Sequence, residues 1–302
     1  MIKGELLDGK YKILKVLGTG GMSRVYLGEN VKLGTLWAIK EIDKFSNSKA
    51  DLLVEPNILK KLNHRALPRI FDIIEDEKNI YIVEDYIEGI PLDKKLLRWG
   101  RLPEKTVVMW AQQICDVLIY LHTLKPNPII YRDMKPSNII LTGQGQIKLI
   151  DFGISREYKG ESTNDTTYIG TRGYAAPEQY GRAQTDVRTD IYSLGVTLYH
   201  LLTGKSPKEP PFEIRPIREF DKNLSVGIEY IIIKCTKSDP NQRYQSVNEL
   251  LEDIINLDNL AESHGRRGII QKLKLAVIIF LLSLFIYITY AGFLEIGKFF
   301  KP

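Results

Sequence analysis

Tyr131-Arg-Asp-Met-Lys-Pro-Ser-Asn138 is the most informative stretch of this sequence, and Asp151-Phe-Gly153 follows it closely. The two motifs supply two carboxylates, a lysine and an amide within a short span. Carboxylate and amide oxygens suit Mg²⁺, and a lysine ammonium is a common partner of phosphate. Between the motifs, the glycines and alternating apolar residues of Leu141-Thr-Gly-Gln-Gly-Gln-Ile-Lys-Leu-Ile150 predict a β-hairpin. The stretch therefore offers the groups needed to hold a hydroxyl, metal ions and a nucleotide phosphate.

These motifs resemble the catalytic loop of protein kinases, H-R-D-x-x-x-x-N followed by D-F-G, with Tyr131 in the position of the histidine. The resemblance implies an enzyme that transfers the γ-phosphoryl group of ATP to a protein hydroxyl. Asp133 is then the residue that accepts or orients the hydroxyl proton, and Lys135 steadies the γ-phosphate. Asn138 and Asp151 are the implied ligands of Mg²⁺, for which Mn²⁺ is an alternative.

The tyrosine at the start of the loop is a departure from the family pattern. In the family this residue packs against the Phe of D-F-G, so the ring of Tyr131 is expected to pack on Phe152 and the enzyme to remain active. The alternative is a non-catalytic binding or scaffold module with the same fold. Such a module would more often lack Lys40, Asp133 or Asp151, and all three are present.

A glycine-rich turn lies near the N-terminus, between two predicted strands. Glycine lets backbone N–H groups approach phosphate oxygens without a clash from Cβ. The turn resembles the kinase pattern G-x-G-x-x-G-x-V, with Ser23 in the place of the third glycine. The resemblance implies an ATP-binding loop that consists of Leu17, Gly18, Thr19, Gly20, Gly21, Met22, Ser23, Arg24 and Val25.

Lys40 ends the segment Trp37-Ala-Ile-Lys40, which resembles the V-A-I-K strand of kinases. The resemblance implies that Lys40 binds the α- and β-phosphates and pairs with a helix glutamate. Glu55, in a helix predicted over Ala50–Leu62, is the candidate for that partner. Pro56 follows it, and proline inside a helix removes a backbone hydrogen bond. The helix therefore either begins late, with Pro56 in its first turn, or is bent there.

The segment Val83-Glu-Asp-Tyr-Ile-Glu-Gly89 resembles the hinge between the two kinase lobes. Its backbone at Asp85 and Ile87 is expected to meet the adenine base. Glu84 stands where the family usually has an apolar side chain at the back of the nucleotide pocket. Either the alignment is shifted by one residue, or the glutamate turns away from the pocket, or it lines the back and affects Lys40 or the adenine amine.

Other residues indicate the substrate class and the anchors of the fold. The lysine in Asp-x-Lys-Pro-x-Asn is typical of Ser/Thr kinases, and so is Thr171 in Gly170-Thr-Arg-Gly-Tyr-Ala-Ala-Pro-Glu178. The resemblance implies that the Thr171 hydroxyl bridges the catalytic aspartate and lysine. It also implies that Glu178 pairs with Arg243 and that Asp190 binds the backbone of the catalytic loop.

The segment between Asp151 and Glu178 resembles an activation loop, and Arg132 resembles the arginine that can bind a phosphate on it. Phosphorylation would add up to about two negative charges per site and order the loop. We expect autophosphorylation, in which the chain is its own partner and a dimer is one arrangement; the alternative is a polar flexible loop. The candidate regulatory residues are Thr163, Thr166, Thr167 and Thr171.

The rest of the sequence indicates an α+β protein with the bilobal kinase arrangement. The domain is expected to span residues 10–257, with a β-rich N-lobe at about 10–88 and an α-rich C-lobe at about 89–257. Strands are predicted at Tyr11–Leu17, Val25–Leu27, Leu36–Lys40, Ile70–Glu75 and Ile80–Asp85. Helices are predicted at Pro103–Leu124, Asp190–Leu202 and Val226–Cys235, and the stretch Leu250–Leu257 is expected to end the globular part.

The composition is ordinary for a globular protein, with 44% hydrophobic and 26% charged residues among 302. The net charge is +5, without a concentrated basic stripe, so nucleic acid is not an expected partner. The expected partners are ATP and proteins that carry Ser or Thr. Cys115 and Cys235 lie in apolar helical contexts and are expected to be buried free thiols in a reducing compartment.

The sequence LAVIIFLLSLFIYITYAGFL at Leu275–Leu294 carries no charge. A bilayer core of about 30 Å requires about 20 such residues in a helix. We therefore predict a transmembrane helix at 273–296, after a juxtamembrane linker at 258–272 and before a short tail at 297–302. The basic residues before this helix predict a single-pass protein of the cell membrane with its kinase domain in the cytoplasm. These basic residues either bind anionic lipid or serve only to set the orientation of the helix in the membrane.

Overall fold

The computed structural model describes residues 1–19, 23–45, 58, 60, 62–152, 156–157, 170–180, 184–210 and 212–260. Several sequence-based expectations therefore lie outside the described residues. These are Gly20, Gly21 and Met22 of the glycine turn, the helix partner Glu55 with Pro56, the regulatory candidates Thr163, Thr166 and Thr167, and the predicted membrane helix at 273–296.

A six-stranded antiparallel sheet forms the N-terminal part. Its strands lie in the spatial order β1-β2-β3-β4-β6-β5. The register between β2 and β3 shifts twice, between Ile13 and Lys15 and again between Val16 and Gly18. The strands are β1 Leu6–Leu7, β2 Tyr11–Thr19, β3 Ser23–Asn30, β4 Leu36–Asp43, β5 Ile70–Glu75 and β6 Asn79–Asp85.

The two faces of this sheet differ because side chains alternate along a strand with period two. One face carries a buried cluster that includes Tyr11, Tyr26, Ile39 and Val83. The opposite face carries Lys40, whose ammonium reaches the C-terminal part of the chain. That second face is therefore the one that borders the cleft between the two lobes.

The chain passes from β6 into the C-terminal part through residues 86–89. Gly89 has a clear steric reason to be glycine, since a Cβ there would lie 2.5 Å from the carbonyl oxygen of Leu141. This close approach allows β7, Ile90–Pro91, to pair with the strand that contains Leu141. The hinge is thereby fastened to the C-terminal lobe at its exit.

Helices dominate the C-terminal lobe and pack around one large apolar core. Among the described residues they are α1 Leu92–Trp99, α2 Glu104–His122, α3 Val187–Thr203, α4 Val226–Cys235 and α5 Val247–Ile255. The helices α3 and α4 cross closely at Gly195, where a Cβ would lie 2.5 Å from Cβ of Cys235. Short strands complete the lobe: β8 Ile129–Ile130, β9 Ile139–Leu141, β10 Ile147–Leu149 and β11 Arg156–Glu157.

Most predicted elements are confirmed, and the differences lie at the ends of strands and helices; strands β2, β3 and β4, for example, extend two or more residues beyond their predicted bounds. The strand Ile70–Glu75 and the helix Val226–Cys235 have the predicted bounds. The predicted start at Asp190 was wrong, because Asp186 caps α3 and its side chain accepts from the backbone of Arg188. Helix α5 was not predicted as a helix; it begins at Val247, and Ser246 caps it.

The predicted end of one helix and the predicted end of the globular part also differ from the structure. Helix α2 ends at His122 rather than Leu124. Helix α5 ends at Ile255, and residues 257–260 are helical again, so the expected polar linker begins inside a helical turn. Both cysteines are buried and free, as predicted. Within the described part of the chain, no helix has the length and apolar character that a membrane crossing requires.

Candidate active site

Two short strand pairs position the candidate catalytic residues. The loop from Tyr131 to Lys135 follows β8, and a 3₁₀ turn at Pro136–Asn138 leads into β9. Strand β10 pairs with β9 as the hairpin predicted from the sequence. The backbone N–H of Ile150 then donates to the carbonyl of Asn138 at 3.0 Å. The hairpin thus returns the chain to the catalytic loop just before Asp151.

Three side chains meet at the centre of the site. Nζ of Lys135 lies 2.6 Å from Oδ2 of Asp133 and 2.7 Å from Oγ1 of Thr171. The Thr171 hydroxyl donates to Oδ1 of Asp133 at 2.7 Å. The predicted bridge by Thr171 is therefore confirmed. Because Asp133 is buried, these charge-assisted contacts satisfy a carboxylate that would otherwise be costly to remove from water.

Asn138 closes the other side of this cluster. Its Nδ2 donates to the backbone oxygen of Asp133 at 3.1 Å and to Oδ2 of the same residue at 2.9 Å. The amide nitrogen is therefore turned toward Asp133, which leaves the amide oxygen as the acceptor on the remaining side. An amide oxygen can accept at two lone pairs.

Asp190 anchors the loop from below, as predicted. This fully buried carboxylate accepts from the backbone N–H groups of Tyr131 and Arg132, at 2.9 and 2.7 Å. It also lies 2.8 Å from Nε2 of His122, at the end of α2. Arg132 has a positive φ of 69°, which non-glycine residues rarely adopt, so the anchor holds the backbone in a strained turn directly before Asp133.

Tyr131 contacts the D-F-G segment in two ways. Its ring packs edge-on against Phe152, with a centroid distance of 5.1 Å, which confirms the predicted contact. Its hydroxyl donates to the carbonyl of Ile150 at 2.5 Å. Burial raises the pKa of Tyr131 well above its ordinary value, so the phenol stays protonated and able to donate.

Lys40 and Asp151 join the two lobes. Nζ of Lys40 lies 2.8 Å from Oδ1 of Asp151, across the cleft from β4. Lys40 is buried, whereas the Asp151 side chain is 46% exposed and therefore accessible from the cleft. Asp151 has a φ of 65°, a left-handed conformation that aspartate tolerates better than most residues. This ion pair was not predicted, because the sequence pattern pointed only to Glu55 as the partner of Lys40.

The remaining ATP-binding candidates lie on the sheet and the hinge. Gly18 pairs with Val25, and Thr19 with Arg24, so the described parts of the glycine turn are the ends of β2 and β3. The carboxylate of Asp85 accepts from the backbone N–H and Nε of Arg69, at 3.0 and 2.9 Å. The Asp85 side chain is therefore held by a surface arginine.

A buried ion pair supports the segment that follows Thr171. Nη1 and Nη2 of Arg243 donate to the two carboxylate oxygens of Glu178 at 2.7 and 2.9 Å, which confirms the predicted pair. The hydroxyl of Thr189 also donates to Glu178, at 2.9 Å. Both charged side chains are almost fully buried, so the bidentate geometry is needed to offset their desolvation.

Three contacts in this region were missed by sequence reasoning. Gln179 is fully buried; its amide nitrogen donates to the carbonyl of Arg132 at 3.0 Å, and its amide oxygen accepts from the N–H of Ala176 at 2.9 Å. The hydroxyl of Tyr174 lies 2.6 Å from Nδ1 of His200 on α3. Nothing in the sequence around Gln179 indicates that its side chain is bonded to the backbone of Arg132 and Ala176.

The environment of His200 suppresses its charge. Burial, together with the nearby Lys208 ammonium, lowers the pKa of His200 to about 4. Its imidazole is therefore neutral at ordinary pH, and its contact with Tyr174 holds the segment three residues after Thr171. Burial raises the pKa of Tyr174 well above its ordinary value, so both members of the pair are uncharged.

Comparison with known proteins agrees with this geometry. Residues 11–261 match the family model for the protein kinase domain. The serine/threonine-protein kinase PrkC of Bacillus subtilis is 30% identical over 289 residues, which cover 90% of this chain and 44% of that protein. A probable serine/threonine-protein kinase of Streptomyces coelicolor is 36% identical over 279 residues, 82% of this chain and 40% of its own length.

A third relative is the serine/threonine-protein kinase PknB of Mycobacterium tuberculosis. It is 31% identical over 281 residues, which cover 84% of this chain and 44% of PknB. The chain thus spans less than half the length of these three relatives.

Proposed function

This chain belongs to the protein kinase family, and we propose that it transfers the γ-phosphoryl group of ATP to Ser and Thr hydroxyls of proteins at a membrane. The contact network of Asp133, Lys135 and Thr171 is the observation that carries the proposal. It places a carboxylate, an ammonium and a hydroxyl within hydrogen-bond distance of one another. Phosphoryl transfer needs such placement and charge neutralisation more than covalent chemistry.

The proposed reaction assigns each residue of this network a role. Asp133 accepts the proton of the substrate hydroxyl, whose oxygen forms a bond to the γ-phosphorus. The bond between that phosphorus and the β,γ-bridging oxygen breaks, and ADP leaves with the electron pair. Lys135 neutralises charge on the transferred group, and Thr171 orients both Asp133 and Lys135.

Asn138 and Asp151 fit a Mg²⁺ site that the nucleotide completes. The Asn138 nitrogen is engaged by Asp133, so the amide offers its oxygen, and the Asp151 carboxylate is accessible from the cleft. Mg²⁺ in kinase sites is held by one or two such groups plus phosphate oxygens. When bound, the metal neutralises charge on the β- and γ-phosphates. Mn²⁺ is an alternative for the same hard oxygen ligands.

A preference for Ser and Thr over Tyr is supported by Lys135 and Thr171, two residues typical of Ser/Thr kinases at these positions. Thr171 accepts from Lys135 and donates to Asp133, so the segment that carries Thr171 lies directly against the catalytic residues. The relatives are serine/threonine-protein kinases by name. We extend that substrate class to this chain.

We propose that an activation-loop phosphate controls the enzyme. Arg132 precedes Asp133 directly, and its guanidinium donates to the Thr185 hydroxyl. A phosphate near this arginine would act on the backbone of the catalytic loop through one peptide unit. Mass spectrometry of the purified chain and its Asp133→Asn variant tests this proposal. Equal phosphate on both at Thr163, Thr166, Thr167 or Thr171 would exclude self-modification.

Membrane attachment rests on the sequence of Leu275–Leu294 alone. We propose one span with the kinase domain, residues 10–257, in the cytoplasm. Fractionation of cells that express the full chain tests this, with a variant that ends at residue 262 as the control. The full chain is expected to resist extraction from membranes at alkaline pH. Release of the full chain into the soluble fraction would contradict the proposal.

The kinase activity itself is tested with labelled ATP and Mg²⁺, using casein and the chain itself as substrates. Asp133→Asn and Asp151→Asn are expected to lower phosphate transfer at least about a hundredfold. Asp116→Asn makes the same chemical change at an exposed carboxylate outside the site, and it should leave transfer unchanged. A chain without transfer, or an Asp133→Asn variant with full transfer, would refute the proposal.

A further inference from the structure

The strand register places Glu84 on the face of the sheet that borders the cleft. In the β4–β6 pair, Lys40 lies opposite Ile82, and Ala38 lies opposite Glu84. Paired residues in an antiparallel sheet point to the same side, and residues two apart on one strand do so as well. Glu84 therefore lies on the same face of the sheet as Lys40. This excludes the interpretation that Glu84 lies on the outer face, away from the cleft.

Lys40 shows what this face borders, because its ammonium reaches Asp151 in the other lobe. The residues between, Ile39 and Val83, point the opposite way into the outer cluster. The pairing also shows that Glu84 ends the cleft face of β6 just before the hinge. A one-residue shift of the alignment would move the position to Val83 or Asp85, and both lie on the outer face: Val83 belongs to the outer cluster, and Asp85 pairs with Trp37, which packs against that cluster.

On this face, side chains that lie opposite one another on neighbouring strands form two rows across the sheet, and each row borders a different part of the candidate nucleotide site. The first row is Val25, Lys40 and Ile82, at the phosphate end. The second row is Leu27, Ala38, Glu84 and, from β5, Ile70. It lies two residues along the strands toward the hinge, a distance of about 7 Å.

The second row therefore lies where the base of a nucleotide would be when its phosphates reach Lys40. Ala38, with its single methyl group, is the smallest side chain of that row and leaves room beside Glu84. Glu84 is the one charged side chain of the row, and it is half-buried. A planar base that enters beside Ala38 meets a carboxylate at its inner edge.

An ionised carboxylate accepts hydrogen bonds and cannot donate them. Adenine presents an exocyclic amine, a donor, at the position where guanine presents O6, an acceptor. A carboxylate at the inner edge therefore attracts the adenine amine and repels the guanine oxygen. We propose that Glu84 is a specificity-determining residue that selects adenine over guanine nucleotides; this rests on the proposed ATP site.

The test compares ATP with GTP as phosphate donors for the purified full chain in detergent, with casein as acceptor. The variants are Glu84→Gln and Glu84→Met, and the control is Glu88→Gln, an equal loss of charge at an exposed hinge position. The ratio of kcat/KM for ATP to that for GTP is expected to fall roughly tenfold or more in Glu84→Gln, the size of one hydrogen bond to a charged group. The amide of glutamine can donate to O6 as well as accept from the amine, so much of the fall should come from better use of GTP.

Glu84→Met removes both kinds of polar contact, so it should raise KM for ATP and reduce the ratio as well. Glu88→Gln should keep the ratio of the unaltered chain. An unchanged ratio in both Glu84 variants, with Tm values near that of the unaltered chain, would overturn the proposal.

Equilibrium binding of ADP and GDP to the same four proteins separates this inference from the kinase activity. If the unaltered chain transfers no phosphate from either nucleotide, the proposed function fails, and the binding ratio alone then decides the role of Glu84. If the unaltered chain binds ADP more tightly than GDP and Glu84→Gln binds both equally, the proposed role of Glu84 is supported. Equal binding of ADP and GDP to the unaltered chain refutes it.

Discussion

The hydroxyl of Thr171 donates a 2.7 Å hydrogen bond to Oδ1 of Asp133, although the two residues are 38 positions apart in the chain. The same hydroxyl accepts from Lys135 at 2.7 Å. The segment that carries Thr171 is thereby part of the cluster that is proposed to be catalytic. Any rearrangement of that segment changes the orientation of the carboxylate that is proposed to take the substrate proton.

Replacing Thr171 with Val keeps the shape of the side chain and removes its hydroxyl. We expect kcat for phosphate transfer to fall by about tenfold or more, because a buried carboxylate and an ammonium each lose a partner. Steady-state kinetics with casein would measure the change. Thr171→Ser keeps the hydroxyl and serves as the control, with kcat near that of the unaltered chain. Full activity in Thr171→Val would show that the bridge has no catalytic role.

Tyr131 allows its two contacts to be separated. Tyr131→Phe removes only the hydroxyl bonded to the Ile150 carbonyl and should lower the free energy of unfolding by about 1 kcal/mol. Tyr131→Ala also removes the ring that packs on Phe152 and should cost about 3–5 kcal/mol. Urea denaturation of both variants measures the two effects. Equal losses would mean that the ring contact contributes nothing.

The buried pair of Glu178 and Arg243 should be sensitive to loss of one partner. Arg243→Met leaves an uncompensated buried carboxylate, so we expect a loss of about 3–5 kcal/mol in the free energy of unfolding. The double variant Glu178→Gln, Arg243→Met should recover much of this loss. The exposed pair Arg215 and Glu219 is the control, where Arg215→Met should cost less than about 1 kcal/mol. A small effect at Arg243 would contradict the prediction.

The neutral His200 predicts a pH dependence of stability. Its pKa is about 4 in the folded protein and near its ordinary value of 6.5 when unfolded. Between pH 6.5 and pH 4, the His200 imidazole is mostly protonated in the unfolded chain and mostly neutral in the folded chain. The stability associated with neutral His200 is therefore fully present above pH 6.5. As the pH falls toward 4, the free energy of unfolding decreases by roughly 2–3 kcal/mol.

Tm measured between pH 7 and pH 4 tests this against His200→Gln, which has no imidazole at this position. The variant is expected to be less stable at pH 7 and to lose less Tm on acidification. Parallel Tm curves for the two proteins would show that His200 does not titrate as described.

The sequence predicted the elements and residues that depend on short-range pattern. Strand Ile70–Glu75 and helix Val226–Cys235 have their predicted bounds, because alternation and helical spacing are local properties. The helix start at Val187 was missed, since the capping residue Asp186 lies outside the apolar periodicity of α3. Helix α5, which Ser246 caps, was not predicted.

Contacts made across the fold had no such local signal. Asp151 as a partner of Lys40 lies 111 positions away, and the buried amide of Gln179 meets a carbonyl 47 positions away. Such pairs form only when separate elements pack against one another, so they cannot be predicted from residue type or from spacing along the chain. The pairs that were predicted, such as Glu178 with Arg243, came from resemblance to a family.

By itself, the sequence determined which chemical groups are present and which lie close along the chain: Asp133, Lys135 and Asn138 fall within six consecutive residues. Only the tertiary structure decided where those groups point. It put Thr171 on Asp133, Lys40 on Asp151, and Glu84 on the cleft face of the sheet. The physical reason is that spacing along a chain limits distance only over a few residues, whereas strand register and core packing determine orientation across the whole fold.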